Sequence, residues 1–459
     1  MKRIIALLFV GFTGLVLLCN TPAYARVKVI TDVDKPVVLA GDEENIVVKV
    51  GLAGLDIPNL DKRLPINVAV VLDKSGSMQS QGKMERAKQG AIEVVERLTK
   101  DDIFSLIVYD SQPRVLIEAQ YVNNKDALIK TIYHIHAGGS TALYGGVTFG
   151  AAEIRKHIDK EYINRVILLS DGLANVGPKT TEELAELGES LSLEGMTVTT
   201  IGVGLDYNED LMTALADRSS GNSYFAENSG DLPRIFAEEI GEAMTLMASD
   251  IHIDFDCVGG VKPVGVLGRR GVINDQNMEL TIGNLYGKHE RYALFEVQIP
   301  RNRAGKKLRV ARVNIEYTDP FTRKTTRRQE TVSVTYHKDR GYVERQQNKQ
   351  VLKEAALNRA AEVKRKAVAL SDRGDYKAAA SLMKKNSFAL EKVAEQCDND
   401  EEILGQAEQF SVYSKDVTAN RGFTNVQRKG VTNAAYTYPQ QQTTTSVAIT
   451  KIHSGSESR

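Results

Sequence analysis

Apolar and polar residues alternate along two separate parts of the chain, residues 26–61 and residues 249–340. A period of two predicts strands with one buried and one solvated face, as in antiparallel sheets. The first part is too short to bury a core by itself, and the second part could supply the partners that its strands need. We therefore expect both parts to share one β-sandwich into which another domain is inserted.

The intervening residues 62–248 have a different pattern, in which short apolar runs alternate with longer stretches of helical periodicity. A continuous apolar run such as Ile66 to Leu72 predicts a strand that is buried on both faces. Alternating strands and helices indicate an α/β domain with a mostly parallel, doubly wound sheet. We expect strands at residues 67–72, 103–109, 115–118, 166–169, 197–203 and 223–225, and helices at 84–99, 125–134, 142–157, 181–193, 209–216 and 232–247.

Residues 341–415 are rich in Ala, Lys, Glu, Arg and Leu, a composition that predicts helices. Gly374-Asp375 interrupts this stretch, so we expect a helical hairpin with its turn there, and a third helix is compatible with residues 401–413. The remaining residues 416–459 become rich in Gln, Thr and Ser with few apolar residues, and this composition predicts a disordered tail.

Polar residues follow the apolar run of residues 66–72 directly, with Asp73, Ser75 and Ser77 spaced as D-x-S-x-S. In open α/β sheets ligands bind at the carboxyl ends of the strands, which is where this group is expected. Oxygen-only clusters suit hard cations such as Mg²⁺, Mn²⁺ or Ca²⁺. The same residue types also form ordinary turns, so the motif alone leaves both interpretations open. Lys74, between the first two, is expected to be solvated and without a role.

Two later stretches offer further oxygen ligands at the same edge of the sheet. Thr141 follows a Gly-Gly-Ser sequence and precedes a helical pattern, and Asp171 follows the apolar run of residues 165–169. Because the carboxyl ends of parallel strands share one edge, a hydroxyl and a second carboxylate would come close to the D-x-S-x-S group.

With these residues in this order, residues 62–248 resemble the von Willebrand factor type A domain. The metal-ion-dependent adhesion site of that family has D-x-S-x-S, then a Thr, then an Asp that follows a strand. The resemblance implies that Ser75 and Ser77 bind the metal directly and that Thr141 binds it directly or through water. It also implies that Asp73 and Asp171 mainly do not contact the metal directly and instead support the residues that do. The flanking strands make the chain similar, more loosely, to bacterial secreted proteins, inter-alpha-trypsin inhibitor heavy chains and calcium-activated chloride channel homologues.

The resemblance also implies a divalent cation, Mg²⁺ in the first place and Mn²⁺ or Ca²⁺ as alternatives. Neutral hydroxyls offset little of the +2 charge, so an open metal position would attract an Asp or Glu of a protein partner. We therefore expect a metal-dependent protein-binding module and not an enzyme. Two alternatives are a docking or scaffold subunit of an envelope transport or assembly complex and, less favoured, a metal-dependent hydrolase.

The first 25 residues have the pattern of a secretory signal peptide. Lys2 and Arg3 precede an apolar stretch, and Ala23-Tyr24-Ala25 forms an A-x-A cleavage site. We therefore expect export to the periplasm or the outside of a bacterial cell, with no transmembrane segment in the mature chain; lipidation at Cys19 is a less favoured alternative. Lys plus Arg equals Asp plus Glu, at 59 each, so the net charge does not favour a nucleic-acid partner.

Several other residues have two interpretations each. His134 and His136 could contribute to a zinc site, although a position near a helix end is favoured. A second cation site or the loop and cap of a helix could be formed by Asp206, Asn208, Glu209 and Asp210, and the cap is the favoured interpretation. After signal-peptide cleavage Cys257 and Cys397 remain, and they either pair or stay as thiols.

Overall fold

The computed structural model describes residues 27–55, 63–158 and 162–442. The predicted signal peptide, Cys19 and the end of the predicted tail lie outside these residues. The chain begins with three strands, β1 (Val27–Val33), β2 (Val37–Leu39) and β3 (Glu44–Gly54).

The α/β domain follows and has the predicted mostly parallel sheet. Six strands are arranged in the order β6-β5-β4-β7-β8-β9, and only β6 runs antiparallel to its neighbour. Every residue of the central strand β4 is buried, as its continuous apolar run predicts. The elements are β4 (Ile66–Asp73), α1 (Lys83–Arg97), β5 (Ile103–Tyr109), β6 (Pro113–Tyr121), α2 (Lys125–Tyr133), α3 (Leu143–Arg155), β7 (Ile163–Ser170), α4 (Thr181–Leu193), β8 (Met196–Val203), α5 (Glu209–Arg218), β9 (Ser223–Ala226) and α6 (Leu232–Ala243).

The later strands combine with the first three to form the sandwich. One sheet has the order β1-β3-β15-β11, and the other has the order β12-β13-β10-β16-β17-β2, with β14 paired to β10. The α/β domain is therefore inserted between strands of one sandwich, which confirms the predicted architecture. The remaining strands are β10 (Leu246–Cys257), β11 (Lys262–Leu267), β12 (Val272–Asn274), β13 (Asn277–Ile282), β14 (Leu285–Tyr286), β15 (Glu290–Ile299), β16 (Lys307–Thr318) and β17 (Thr325–His337).

The two sheets of the sandwich enclose one apolar core. Val48 and Val50 of β3 pack with residues of β10, β13 and β16 that come much later in the chain. Phe255 and Phe295, one from each sheet, stack with ring centroids 4.5 Å apart. Cys257 is buried as a free thiol in β10, and Cys397 is likewise free and buried in the helical region, so the two cysteines do not pair.

A buried ion pair of the α/β domain is hydrogen-bonded to the sandwich. Arg165 of β7 and Glu239 of α6 are fully buried and form a salt bridge, and Arg165 also donates to the Tyr286 hydroxyl of β14. Glu239 accepts further hydrogen bonds from Thr199 Oγ1, at 2.6 Å, and from the Tyr224 hydroxyl, at 3.0 Å. Because unpaired buried charges are costly, these contacts favour one orientation of the two domains.

The helical region is larger than the sequence predicts. It contains α7 (Arg340–Arg345), α8 (Lys349–Asp372), α9 (Tyr376–Gln396), α10 (Glu401–Ala419) and α11 (Asn425–Gln440). The predicted hairpin corresponds to α8 and α9, with its turn at Gly374 as expected. None of the described helices has the length and apolarity that crossing a membrane would require.

The prediction of a disordered tail from residue 416 is wrong for residues 416–440. Helix α10 continues to Ala419, and α11 packs against α8, α5 and β9. A capping box of Thr424 and Gln427 begins α11, and the Tyr436 hydroxyl donates to the Gly221 carbonyl at 2.6 Å. Helix α11 is ordered despite its polar composition because polar contacts with distant parts of the chain hold it in place.

Candidate metal centre

The D-x-S-x-S group lies at the carboxyl end of β4, in the middle of the sheet. Asp73 is the last residue of the strand, and a 3₁₀ turn at Gly76–Gly82 leads into α1. The Lys74 amide still donates to the Tyr109 carbonyl of β5, and the Gly76 amide donates to the Gly139 carbonyl, at 2.9 and 3.0 Å. These backbone bonds fix the loop between the strand and the turn.

The structure brings hydroxyl oxygens from separate loops to one place. Ser75 Oγ and Ser77 Oγ are 3.0 Å apart, and Ser77 Oγ donates to Asp171 Oδ1 at 2.7 Å. Thr141 Oγ1 and Ser77 Oγ both lie beside Gly172, at 3.1 and 3.8 Å from the position that a Cβ atom would take there. All five predicted residues therefore occur at this edge of the sheet, and only a glycine at position 172 leaves the space between the hydroxyls free.

The two aspartates accept hydrogen bonds from the loops that carry the hydroxyls. Asp73 is fully buried, and its carboxylate accepts hydrogen bonds from the Ser75 amide at 2.8 Å and from Ser170 Oγ at 2.9 Å. Burial raises the pKa of Asp73 to about 6, an effect that the hydrogen bonds from Ser75 oppose and the nearby charge of Asp171 reinforces. A cation bound near this carboxylate would favour its charged form.

Lys83, at the first position of α1, is a residue that the sequence analysis missed. Its ammonium group lies 2.8 Å from Asp171 Oδ2, and both side chains are buried. Since Asp171 Oδ1 already accepts from Ser77, both oxygens of this carboxylate have partners within the protein. The arrangement fits the expected role of Asp171 in orienting a ligand, and it keeps the charge of Asp171 compensated. Nothing in the local sequence distinguishes Lys83 from a solvated lysine.

The loop that carries Thr141 is fixed by contacts with two other loops. The Thr141 amide donates to Asn175 Oδ1 at 3.0 Å, and the Asn175 amide donates back to the Thr141 carbonyl at 3.2 Å.

The expectation that Lys74 is solvated is wrong, because Lys74 is half-buried and forms a salt bridge with Asp110 beside Gly139. Lys74 therefore helps to hold the β4 and β5 loops together.

The resulting cavity is small and open, and several oxygen-bearing side chains contribute to its walls. Its volume is about 380 Å³, and its walls include Ser75, Ser77, Thr141, Asn175 and Asp206. Ser75 and Thr141 are almost completely buried, whereas Ser77 is exposed to the opening. Converging hydroxyls backed by two carboxylates are the kind of donor set that hard divalent cations prefer, so the residues present fit such an ion.

The two other cation sites considered from the sequence, at His134 and His136 and at residues 206–210, have the favoured helix-end and helix-cap contacts. His134 Nδ1 contacts the Lys130 carbonyl at the end of α2, and His136 Nδ1 contacts the His134 carbonyl, as the helix-end interpretation predicts. Asn208 caps α5 by accepting from two backbone amides, and side chains of α11 provide the positive charge that faces its acidic neighbours.

Elsewhere in the described residues one further group has metal-binding geometry. His252, Asp254 and Glu279 lie on the surface of the sandwich with their ligand atoms within 4.8 Å of one another. This group is in a different domain from the hydroxyl cluster and shares no residue with it.

Comparisons with known proteins agree with this arrangement. Residues 67–238 match the family model of the von Willebrand factor type A domain, and the match includes all five candidate ligands. An uncharacterised protein of Synechocystis sp. is 29% identical over 275 residues, which are 58% of this chain and 64% of that protein.

Two vertebrate proteins confirm the looser resemblance. Inter-alpha-trypsin inhibitor heavy chain H3 of Pongo abelii is 25% identical over 193 residues, which are 39% of this chain and 22% of that protein. Calcium-activated chloride channel regulator 1 of Bos taurus is 22% identical over 221 residues, which are 47% of this chain and 23% of that protein. The chain thus spans less than two thirds of each of these relatives.

A solved structure shows the same fold over a larger part of the chain. The structure described as von Willebrand factor type A from Catenulispora acidiphila has a TM-score of 0.64, is 16% identical, and covers 85% of this chain and 97% of its own. At this identity the likeness establishes a shared fold over the aligned residues, not a shared activity.

Proposed function

We propose, from the von Willebrand factor type A domain that residues 67–238 form, that this chain is an exported protein-binding module that requires a divalent metal. Such domains are commonly metal-dependent protein-interaction modules. The observation that supports the proposal most is the convergence of Ser75, Ser77 and Thr141 around Gly172 in one open cavity. Export is supported by the signal-peptide pattern at the start of the sequence.

The metal ligands in this proposal are the hydroxyls of Ser75, Ser77 and Thr141. Asp73 and Asp171 orient them: Asp73 holds the backbone of Ser75, and Asp171 accepts the hydroxyl hydrogen of Ser77. A divalent cation bound there would supply a position for an oxygen of an incoming carboxylate. Mg²⁺ suits this donor set best, and Mn²⁺ and Ca²⁺ are the alternatives.

Charge compensation explains why a partner would present an Asp or Glu. Lys83 compensates the charge of Asp171, so Asp73 is left as the carboxylate that would offset part of the charge of a divalent ion. The remaining positive charge would attract a carboxylate by a charge-assisted contact. A catalytic function is less well supported, because no histidine is among the described lining residues and the serine hydroxyls are assigned here as metal ligands.

The proposal is tested by capturing partners from a bacterial envelope extract with the immobilised chain. Captured proteins should be lost when EDTA is added and should return with excess Mg²⁺. Asp73→Asn keeps the shape of the side chain but removes its charge, and losing such a supporting group typically weakens metal binding about 10- to 100-fold. Asp42→Asn, on the exposed surface of the sandwich, is the matched control.

Capture that survives EDTA and Asp73→Asn would contradict metal-dependent binding. It would favour the alternative of a docking subunit that uses another surface. Metal-dependent turnover of ester or phosphate substrates would favour a hydrolase instead.

A further inference from the structure

A second cavity lies away from the metal centre, where the α/β domain, the sandwich and the helical region meet. Its volume is about 890 Å³. Helices α4 and α5, the residues after β11, strand β15 and helices α8 and α11 all contribute to its walls. All three parts of the structure therefore contribute to its walls.

Arginines dominate the charge of this cavity. Two of them are neutralised within the protein, since Arg218 pairs with Glu189 and Arg428 pairs with carboxylates of α5 and α8. The other four have no carboxylate within salt-bridge distance among the described residues: Arg269, Arg270, Arg291 and Arg365. The cavity therefore has an excess of positive charge.

The partners of these arginines are neutral oxygens. Arg269 donates to the Tyr292 carbonyl at 3.1 Å and to the side-chain oxygens of Gln440 and Gln441 at 2.8 and 2.7 Å. Arg291 is 6% exposed, and its Nε donates to a backbone carbonyl at 3.2 Å. Burial and the neighbouring charge of Arg291 lower the pKa of Arg269 to about 10. Carbonyl oxygens orient the guanidinium groups but do not cancel their charge.

The two remaining arginines of the cavity, Arg365 and Arg270, also lack a carboxylate partner among the described residues. Arg365 of α8 donates to the Ala435 carbonyl at 2.7 Å and to the Gly268 carbonyl at 3.2 Å. Arg270 is exposed and makes no hydrogen bond or ion pair with another described residue. Asp217 and Glu362 act on these arginines only from beyond salt-bridge distance, and one oxygen of Asp217 accepts from Gln440 at 2.8 Å. Six arginines against four carboxylates among the described lining residues leave the cavity with an excess of positive charge.

Two buried polar atoms in the same wall also have no partner. Arg218 Nε and Thr432 Oγ1 are inaccessible to solvent and form no hydrogen bond within the described residues. Buried donors are normally satisfied, but these two are closed off from the cavity, so a ligand would reach them only after a shift of the wall.

We propose that this cavity binds a small multivalent oxyanion, of the phosphate or polycarboxylate class. Guanidinium groups bind such anions through paired, charge-assisted hydrogen bonds. An anion would offset the repulsion between the arginines and would link the three parts of the chain. The site is independent of the metal centre and does not depend on the function proposed above.

The test is isothermal titration calorimetry of the full chain with inorganic phosphate and, separately, with citrate. The protein is first stripped of metal, so that chelation at the hydroxyl cluster plays no part, and NaCl keeps the ionic strength constant. We expect saturable binding of at least one anion and a rise in the thermal unfolding temperature, because a ligand that binds only the folded state stabilises it. Comparing the two anions distinguishes a phosphate site from a carboxylate site.

Variants decide whether the arginines are responsible. Arg270→Gln removes a charge without removing an internal hydrogen bond and should weaken binding about tenfold, as expected for one charge-assisted contact. Arg365→Gln should have a similar effect, with circular dichroism confirming that it folds. Arg301→Gln, an exposed arginine of the sandwich, should bind as the native chain does. The proposal is overturned if neither anion gives saturable binding, or if Arg270→Gln binds as tightly as Arg301→Gln.

Discussion

Gly172→Ala tests the metal centre without removing any ligand. The added methyl carbon would lie 3.1 Å from Thr141 Oγ1 and 3.8 Å from Ser77 Oγ. Ordinary contacts are longer than the first of these distances, so Thr141 would have to move by a few tenths of an ångström. The methyl group would also occupy part of the space between the hydroxyls.

The size of the effect follows from the geometry that each ion requires. Mg²⁺ binds oxygen at about 2.0–2.1 Å with near-ideal octahedral geometry, whereas Ca²⁺ accepts about 2.3–2.6 Å and irregular arrangements. Displacing one ligand oxygen by a few tenths of an ångström therefore affects Mg²⁺ most. We expect Mg²⁺ affinity to fall at least about tenfold, or about 1.4 kcal/mol, and Ca²⁺ affinity to fall less.

Calorimetric titration of each ion into the native chain and the variant measures this difference. Gly138→Ala is the matched control, because a Cβ atom there would have no neighbour within 4 Å although the residue lies in the adjoining loop. Thermal unfolding without metal should be nearly the same for all three proteins. If Gly172→Ala binds Mg²⁺ as the native chain does, or if Gly138→Ala is equally impaired, the assignment of the hydroxyls as ligands is refuted.

Three further variants test other parts of the account. Thr141→Ala should weaken metal-dependent partner capture more than it weakens metal binding by calorimetry, and equal losses would contradict its expected role in the ligand-bound state. Arg165→Met leaves Glu239 buried without its charge partner and should lower the free energy of unfolding by about 3–5 kcal/mol, measured by urea denaturation; adding Glu239→Gln should recover part of the loss, and no recovery would contradict the explanation. Burial lowers the pKa of Lys364 to about 7, so the unfolded chain binds this proton more strongly and stability should rise with pH from about 7 to the ordinary lysine range. Lys364→Met should therefore stabilise the chain more at pH 7 than at pH 9.5, and an equal gain at both pH values would contradict the stated cause.

Local sequence patterns predict the α/β domain and its candidate ligands well. The apolar run of β4 specifies a central strand because parallel sheets bury both faces, and this places Asp73, Ser75 and Ser77 at the edge where ligands bind. The insertion into a sandwich could be predicted as well, since the strands of residues 27–54 need partners that only later strands supply.

Features that depend on distant contacts could not be predicted in this way. Lys83 has no local signal for burial, because its partner Asp171 lies far away in sequence. Helix α11 has a composition typical of disorder, and it is held by contacts such as those of Lys429 with the Tyr207 carbonyl, at 2.5 Å, and with Glu209, at 2.6 Å. The same contacts supply the positive charge near residues 206–210, where the sequence alone also allowed a metal ion.

A crystal structure of the chain grown with Mn²⁺ tests the central claim most directly, because the anomalous signal of the ion identifies its position independently of the protein atoms. Mn²⁺ prefers the same oxygen ligands as Mg²⁺. The account predicts an anomalous peak within bonding distance of the hydroxyl oxygens of Ser75, Ser77 and Thr141. Saturating Mn²⁺ that gives no peak there, or a peak only at His252, Asp254 and Glu279, would contradict it.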